Sequence, residues 1–123
     1  MQRGVKPDLI VSSSALRART TAQSLAAELD LAPDRLVQDK RLYSTSATNL
    51  LYVIQELDDK LGCVMLVGHN PEMTELARHF SKDIPDMPTC AVAQFDFEAD
   101  SWLDVGAGVP VTTRFEYPKK PQA

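Results

Sequence analysis

Histidine is scarce in this chain: two of 123 residues, His69 and His79. Cysteine is equally scarce. Cys63 and Cys90 stand far apart and outside any C-x-x-C pair, which excludes a disulfide framework and reads as two buried free thiols of a reducing compartment. A basic excess is missing too. Lys and Arg number 13 against 17 Asp and Glu, a formal net charge of −4. That balance argues against nucleic acid as the main partner, because affinity for a phosphate backbone needs a basic surface; it leaves room for a local basic pocket that holds a small anion. No apolar run approaches the roughly 20 residues of a membrane span, and no signal-peptide pattern opens the chain. A cytoplasmic protein without a membrane partner is expected. The G-x-x-x-x-G-K-[ST], G-x-G-x-x-G and G-x-S-x-G patterns are all absent, which removes the common nucleotide-binding and serine-hydrolase signatures. His69 and His79 lack neighbouring thiols or a His-Glu arrangement, so no metal site is expected.

What is present is an ordinary globular composition, 44% apolar and 24% charged, enough for one domain with its own core. "PDLIVSSS" (7–14) reads as a strand and turn. "ALRARTTAQSLAAELD" (15–30) sets Ala18, Ala22, Leu25 and Leu29 on one helical face, with Ser13 or Ser14 as N-cap. "RLVQDKRLY" (35–43) allows a short strand. "ATNLLYVIQELDDKLG" (47–62) repeats the helical spacing at Leu50, Ile54, Leu57 and Leu61 and stops at Gly62. "CVMLVG" (63–68) predicts a central strand buried on both faces, and "PEMTELARHF" (71–80) a helix facing inward through Met73, Leu76, Ala77 and Phe80. "CAVAQFDFEADSWLDVG" (90–106) alternates about Ala99–Asp100 and suggests a hairpin. "VTTRFEY" (111–117) adds a further strand, and residues 118–123 a frayed tail.

Strands alternating with helices imply βαβ units, a mainly parallel sheet and helices on both its faces. In such sheets ligands gather beyond the carboxyl ends of the strands. Both "VSSSALRAR" and "VGHNPE" fall on that edge. Arg17 and Arg19 lie in the opening turns of a helix, where a cation opposes the helix dipole unless an anion compensates. The helix N–H groups and a bidentate guanidinium can hold such an anion. Arg17 is the better candidate, being nearer the turn and beside the face that Leu16 helps to pack; Arg19 is expected to point to solvent. His69, on the same edge, suits phosphate recognition or proton transfer. His79, next to Phe80, is assigned to structure.

"SSALRARTTA" (13–22) resembles the S-x-x-x-R-A-x-x-T-A signature of the histidine phosphatase superfamily, which has the phosphoglycerate-mutase-like fold, and "VGHNPEMTEL" (67–76) resembles its second histidine motif. The short insert between them and "MPTCAVAQFDF" (87–97) are similar to the compact SixA-like phosphohistidine phosphatases. The resemblance implies a three-layer α-β-α domain over residues 1–117. It implies a phosphate-binding Arg17, an active-site His69, Ser13 at the head of the arginine motif and Thr89 at the pocket mouth. It implies no cofactor, and phosphoryl transfer to an active-site histidine followed by hydrolysis. The substrate would be a phosphohistidine of a signalling or phosphotransfer protein. A small-molecule phosphomonoester is the alternative substrate, and a non-catalytic phosphate- or partner-binding domain the alternative class. The family's first strand ends in Arg-His-Gly or Arg-His-Ala and supplies the nucleophile. This sequence has Arg78-His79 inside a helical pattern and no such pair elsewhere, so it resembles a domain lacking its first strand and helix, with an open strand edge.

Overall fold

The computed structural model describes residues 7–43, 45–85, 92–107 and 110–116. Three parallel strands form one sheet in the order β2 (Leu36–Gln38), β1 (Leu9–Ser12), β3 (Val64–Val67). Its helices are α1 (Leu16–Glu28), α2 (Ala47–Gln55) and α3 (Glu72–Phe80). A second sheet pairs β4 (Val92–Asp96) with β5 (Thr112–Glu116) antiparallel.

The alternation of β1 explains the layers. Ile10 points to one face, where it packs with Ala22 and Ala26 of α1 and with Leu36, Met65 and Val67. Val11 points to the other face, toward Leu50, Val53 and Ile54 of α2 and Leu76 of α3. The result is a mixed α/β fold with a mainly parallel sheet and helices on both faces, as the sequence pattern predicts. The face α1 turns inward is built of alanines, Ala18, Ala22 and Ala26. Leu16, two residues before Ala18 and so about 200° around the helix from it, faces away from the sheet and is 70% exposed. Its expected packing role is therefore wrong.

Four other expectations are corrected. β3 is not central: β1 is, and β3 pairs only with β1 among the described residues. All four of its residues are consequently half-buried and not enclosed. α2 ends at Gln55, before Gly62. The carboxylates that follow it are used in turns: Asp58 accepts from the Lys60 N–H at 2.9 Å, and Asp59 accepts from the Ser101 hydroxyl and the Trp102 N–H. Those last bonds, with the Trp102 Nε1–H donated to the Leu61 carbonyl at 3.0 Å, hold residues 101–107 against the α2–β3 loop as a 3₁₀ helix, Trp102–Ala107. The second half of the expected 90–106 hairpin is thus diverted, and β4 finds its partner in β5. Finally, neither Ser13 nor Ser14 is the N-cap of α1. That position is Ala15, which has no side-chain cap, while Ser13 Oγ accepts from the Ala15 N–H at 3.2 Å.

Cys63 is half-buried and unpaired, and burial pushes its thiol up from the ordinary range, with Asp8 and Asp96 adding to the shift. Cys90 lies outside the described residues. No helix among the described residues is long and apolar enough to cross a membrane.

Candidate functional site

β1 and β3 run parallel in register, Ser12 opposite Val67, so the residues that follow each strand emerge side by side. Ser13 continues the ladder, donating its N–H to the Val67 carbonyl at 2.9 Å, and is fully buried. Its Oγ lies 2.8 Å from His69 Nε2. Either group can donate in that bond, according to the imidazole tautomer.

His69 is fixed from three sides. Its carbonyl accepts from the Met73 N–H at 2.9 Å, tying the backbone into the start of α3. Ser13 holds one ring nitrogen. Tyr43, just past the Lys40–Leu42 turn that follows β2, sets its ring edge-on to the imidazole with centroids 5.4 Å apart. A Cβ on Gly68, the residue before it, would stand 3.1 Å from Met73 Sδ and 3.3 Å from its Cγ, so a side chain there would press on Met73.

Arg17 stands four residues beyond Ser13, exposed, in the first turn of α1. Arg17 takes part in no ion pair among the described residues, whereas Arg41 pairs with Asp39 and Glu56. No acidic residue occupies that first turn and no side chain caps it. The opening N–H groups of α1 therefore present the positive end of a helix dipole beside an unneutralised guanidinium. This combination suits a small oxyanion.

Of the four site residues inferred from sequence, the structure brings Ser13 and His69 into contact and sets Arg17 on the same sheet edge. Thr89 lies outside the described residues. Arg19 departs from expectation: it is half-buried, and its Nε is shut off from solvent with no hydrogen-bond partner among the described residues. His79 packs edge-on to Phe80 at 5.1 Å on α3, away from this edge. Two contributors escaped the sequence reading. Tyr43 contacts His69 across 26 positions of sequence, and no local pattern signals that. Asn70, one residue ahead of the Pro71 N-cap, braces the start of α3, its Oδ1 accepting from the Thr74 N–H at 3.2 Å and the Thr74 hydroxyl at 2.9 Å; an Asn beside a proline at a helix start is the signal that could have found it.

No family model matches the chain, and no curated protein matches it. Solved structures do. A candidate phosphohistidine phosphatase SixA from Nakamurella multipartitia superposes with a TM-score of 0.70 at 18% identity, over 93% of this chain and 72% of its own. A candidate phosphohistidine phosphatase SixA from Agrobacterium tumefaciens gives 0.69 at 25% identity, over 92% and 69%. The fold is therefore SixA-like and phosphoglycerate-mutase-like.

Proposed function

We propose that this chain forms the phosphate-gripping part of a phosphohistidine phosphatase, with a protein phosphohistidine as substrate. The observation that carries the reading is the 2.8 Å bond between Ser13 Oγ and His69 Nε2 at the adjoining ends of β1 and β3, with Arg17 in the helix turn above it. In this reading Arg17 takes phosphoryl oxygens through its guanidinium and the α1 N–H groups take another. His69, oriented by Ser13 and Tyr43, donates a ring N–H to the same group. Each charge-assisted bond contributes roughly 1.5–3 kcal/mol. Phosphoryl transfer asks chiefly for such positioning and charge stabilisation. The fold likeness to two candidate phosphohistidine phosphatases supports the substrate class.

The reaction also needs a nucleophilic imidazole that attacks phosphorus as the substrate imidazole leaves, after which water releases orthophosphate. His69 is engaged as a stabiliser and His79 packs on α3, so the reading assigns the nucleophile to a further strand. The edge of β3 supports that assignment: the strand is apolar, half-buried and paired only with β1 among the described residues. Residues 13, 17 and 69 by themselves supply phosphate binding, and turnover needs the further nucleophile.

The test is a titration of the purified chain with orthophosphate and vanadate, followed by NMR, together with a search for acid-labile phosphoenzyme after exposure to phosphoramidate. Shifts at Arg17 and His69 without phosphoenzyme are expected. A phosphoenzyme burst would refute the assignment of the nucleophile elsewhere, and unmoved Arg17 and His69 signals would end the phosphate reading.

A further inference from the structure

Beside His69 lies a groove of about 360 Å³, lined by Arg41, Tyr43, Thr45, Asn49, Tyr52 and Glu56. Tyr43 is shared: its ring meets His69 and also forms a wall of the groove. The volume falls in the range of ligand pockets and is larger than a bare phosphate requires.

Its chemistry differs from that of the phosphate edge. Arg41 is the one cation among the groove's described lining residues, and it is paired with two carboxylates. Its Nε and NH2 groups donate to the Asp39 carboxylate at 2.8–3.3 Å, and its NH1 donates to Glu56 Oε1 at 2.8 Å. The trio Arg41, Asp39 and Glu56 therefore carries one net negative charge, and a second anion would be repelled. The aromatic walls are available: Tyr43 and Tyr52 are 56% and 54% exposed. Thr45 Oγ1 at the wall is buried with no hydrogen-bond partner among the described residues. Such an orphaned hydroxyl is costly, and a rotamer change that turns it toward a bound carbonyl would relieve it.

Resting on the phosphohistidine reading above, we propose that this groove receives the polypeptide flanking the phosphorylated residue, and that it prefers a neutral or basic segment. Two tyrosine faces provide amphipathic contact at small entropic cost. The Asn49 amide and Thr45 hydroxyl supply the kind of bonds a peptide backbone takes. The excess carboxylate selects against acidic side chains and favours lysine or arginine. A small phosphomonoester would occupy the phosphate edge and leave the groove empty.

The experiment uses the full chain and three probes: a triazolyl-phosphonate analogue of phosphohistidine as the free amino acid, the same analogue within a short lysine-flanked peptide, and that peptide without the phosphonate. The analogue peptide is expected to bind about tenfold tighter than the free analogue, the ratio one well-placed aromatic contact supplies. Tyr52→Ala should remove that gain while leaving the affinity for the free analogue unchanged. Tyr52 is exposed on α2, so its removal spares the core. A fourth probe, the analogue within a glutamate-flanked peptide, should lose the advantage in the parent chain and regain it in Glu56→Gln. Equal binding of peptide and free analogue, with Arg17 and His69 shifted by both, would overturn the groove and keep the phosphate reading. Lysine-flanked peptide moving Tyr52 and Asn49 with or without the phosphonate, while Arg17 and His69 stay still, would keep the groove and overturn the phosphate reading. Absence of binding by all three probes would overturn both.

Discussion

At the end of β1 the chain enters α1 with alanine at the N-cap, no carboxylate in the first turn, and Arg17 there in its place. At the end of β3, one strand away, it enters α3 with Asn70 Oδ1 on the Thr74 N–H and with Glu72 and Glu75 in the first turn. α3 closes at its other end with Arg78 and His79, so its charges complement its dipole throughout. The two turns share a sheet edge and a direction, and they differ in what is left unsatisfied. α3 has met its own needs and uses its turn to hold His69 still. α1 has left its N–H groups open and added a cation where a cation is disfavoured. A helix end that is locally unfavourable in two ways, beside one that is favourable in two ways, supports the proposed anion site at the first.

The largest expected effect is on Arg17. Arg17→Ala should weaken binding of orthophosphate or vanadate by about 2 kcal/mol, the worth of a charge-assisted hydrogen bond, with little change in stability because the residue is exposed. Calorimetric titration measures it. An unchanged dissociation constant would erase the distinction between the two turns. A smaller effect comes from exchanging their caps. Ala15→Asp supplies α1 with the missing acceptor and should raise the unfolding free energy by about 1 kcal/mol while lowering phosphate affinity, since a carboxylate then occupies the anion's place. Asn70→Ala should lower stability by about 1 kcal/mol and leave phosphate affinity close to that of the parent. Denaturant unfolding paired with titration reads both. Should Asn70→Ala depress affinity as much as Arg17→Ala does, the anion sits on α3 and the comparison is reversed.

Much of this edge was legible in the sequence because its signals are local. The apolar run of β3 followed by Gly68-His69, and the spacing of Ser13 to Arg17, need only strand and helix geometry to fall on one edge. Half of the inward face of α1 was legible for the same reason: Ala18 and Ala22 lie on it as expected, whereas Ala26 completes it and Leu25 and Leu29 are only half-buried. What escaped depends on partners distant in sequence. Leu16 looked like packing from its place at the helix start, but it falls opposite the face of Ala18, Ala22 and Ala26 and is exposed. Residues 101–107 alternated like a strand, yet Asp59 and the Leu61 carbonyl draw Ser101 and Trp102 elsewhere. β3 looked central from its composition and lies at the side of its sheet among the described residues, since apolarity reports what a strand is built to bury and says nothing of what stands beside it. Tyr43 reaches His69 only after β2 has been placed.

The third exit from the sheet, after β2, gives the smallest expected effect and the sharpest control. Asp39 serves it as Asn70 serves α3, accepting from the Arg41 N–H at 2.9 Å and from the guanidinium as well. The hydrogen bonds from Arg41 hold the Asp39 carboxyl below its ordinary 3.8, against a smaller opposing effect of partial burial. Because the folded value is the lower one, the carboxylate contributes stability that is fully present above pH 3.8 and fades as pH falls through the folded value. Asp39→Asn should therefore be less stable than the parent near neutrality, by no more than about 1 kcal/mol for so exposed a pair, with the difference vanishing in acid. Thermal unfolding of the two proteins across that pH range measures it. Phosphate affinity at neutral pH should be the same in both, because Arg41 is already neutralised and faces the groove. A loss of phosphate binding in Asp39→Asn would mean that Arg41 belongs to the anion site, and the division of this edge into one open turn and two closed ones would fall.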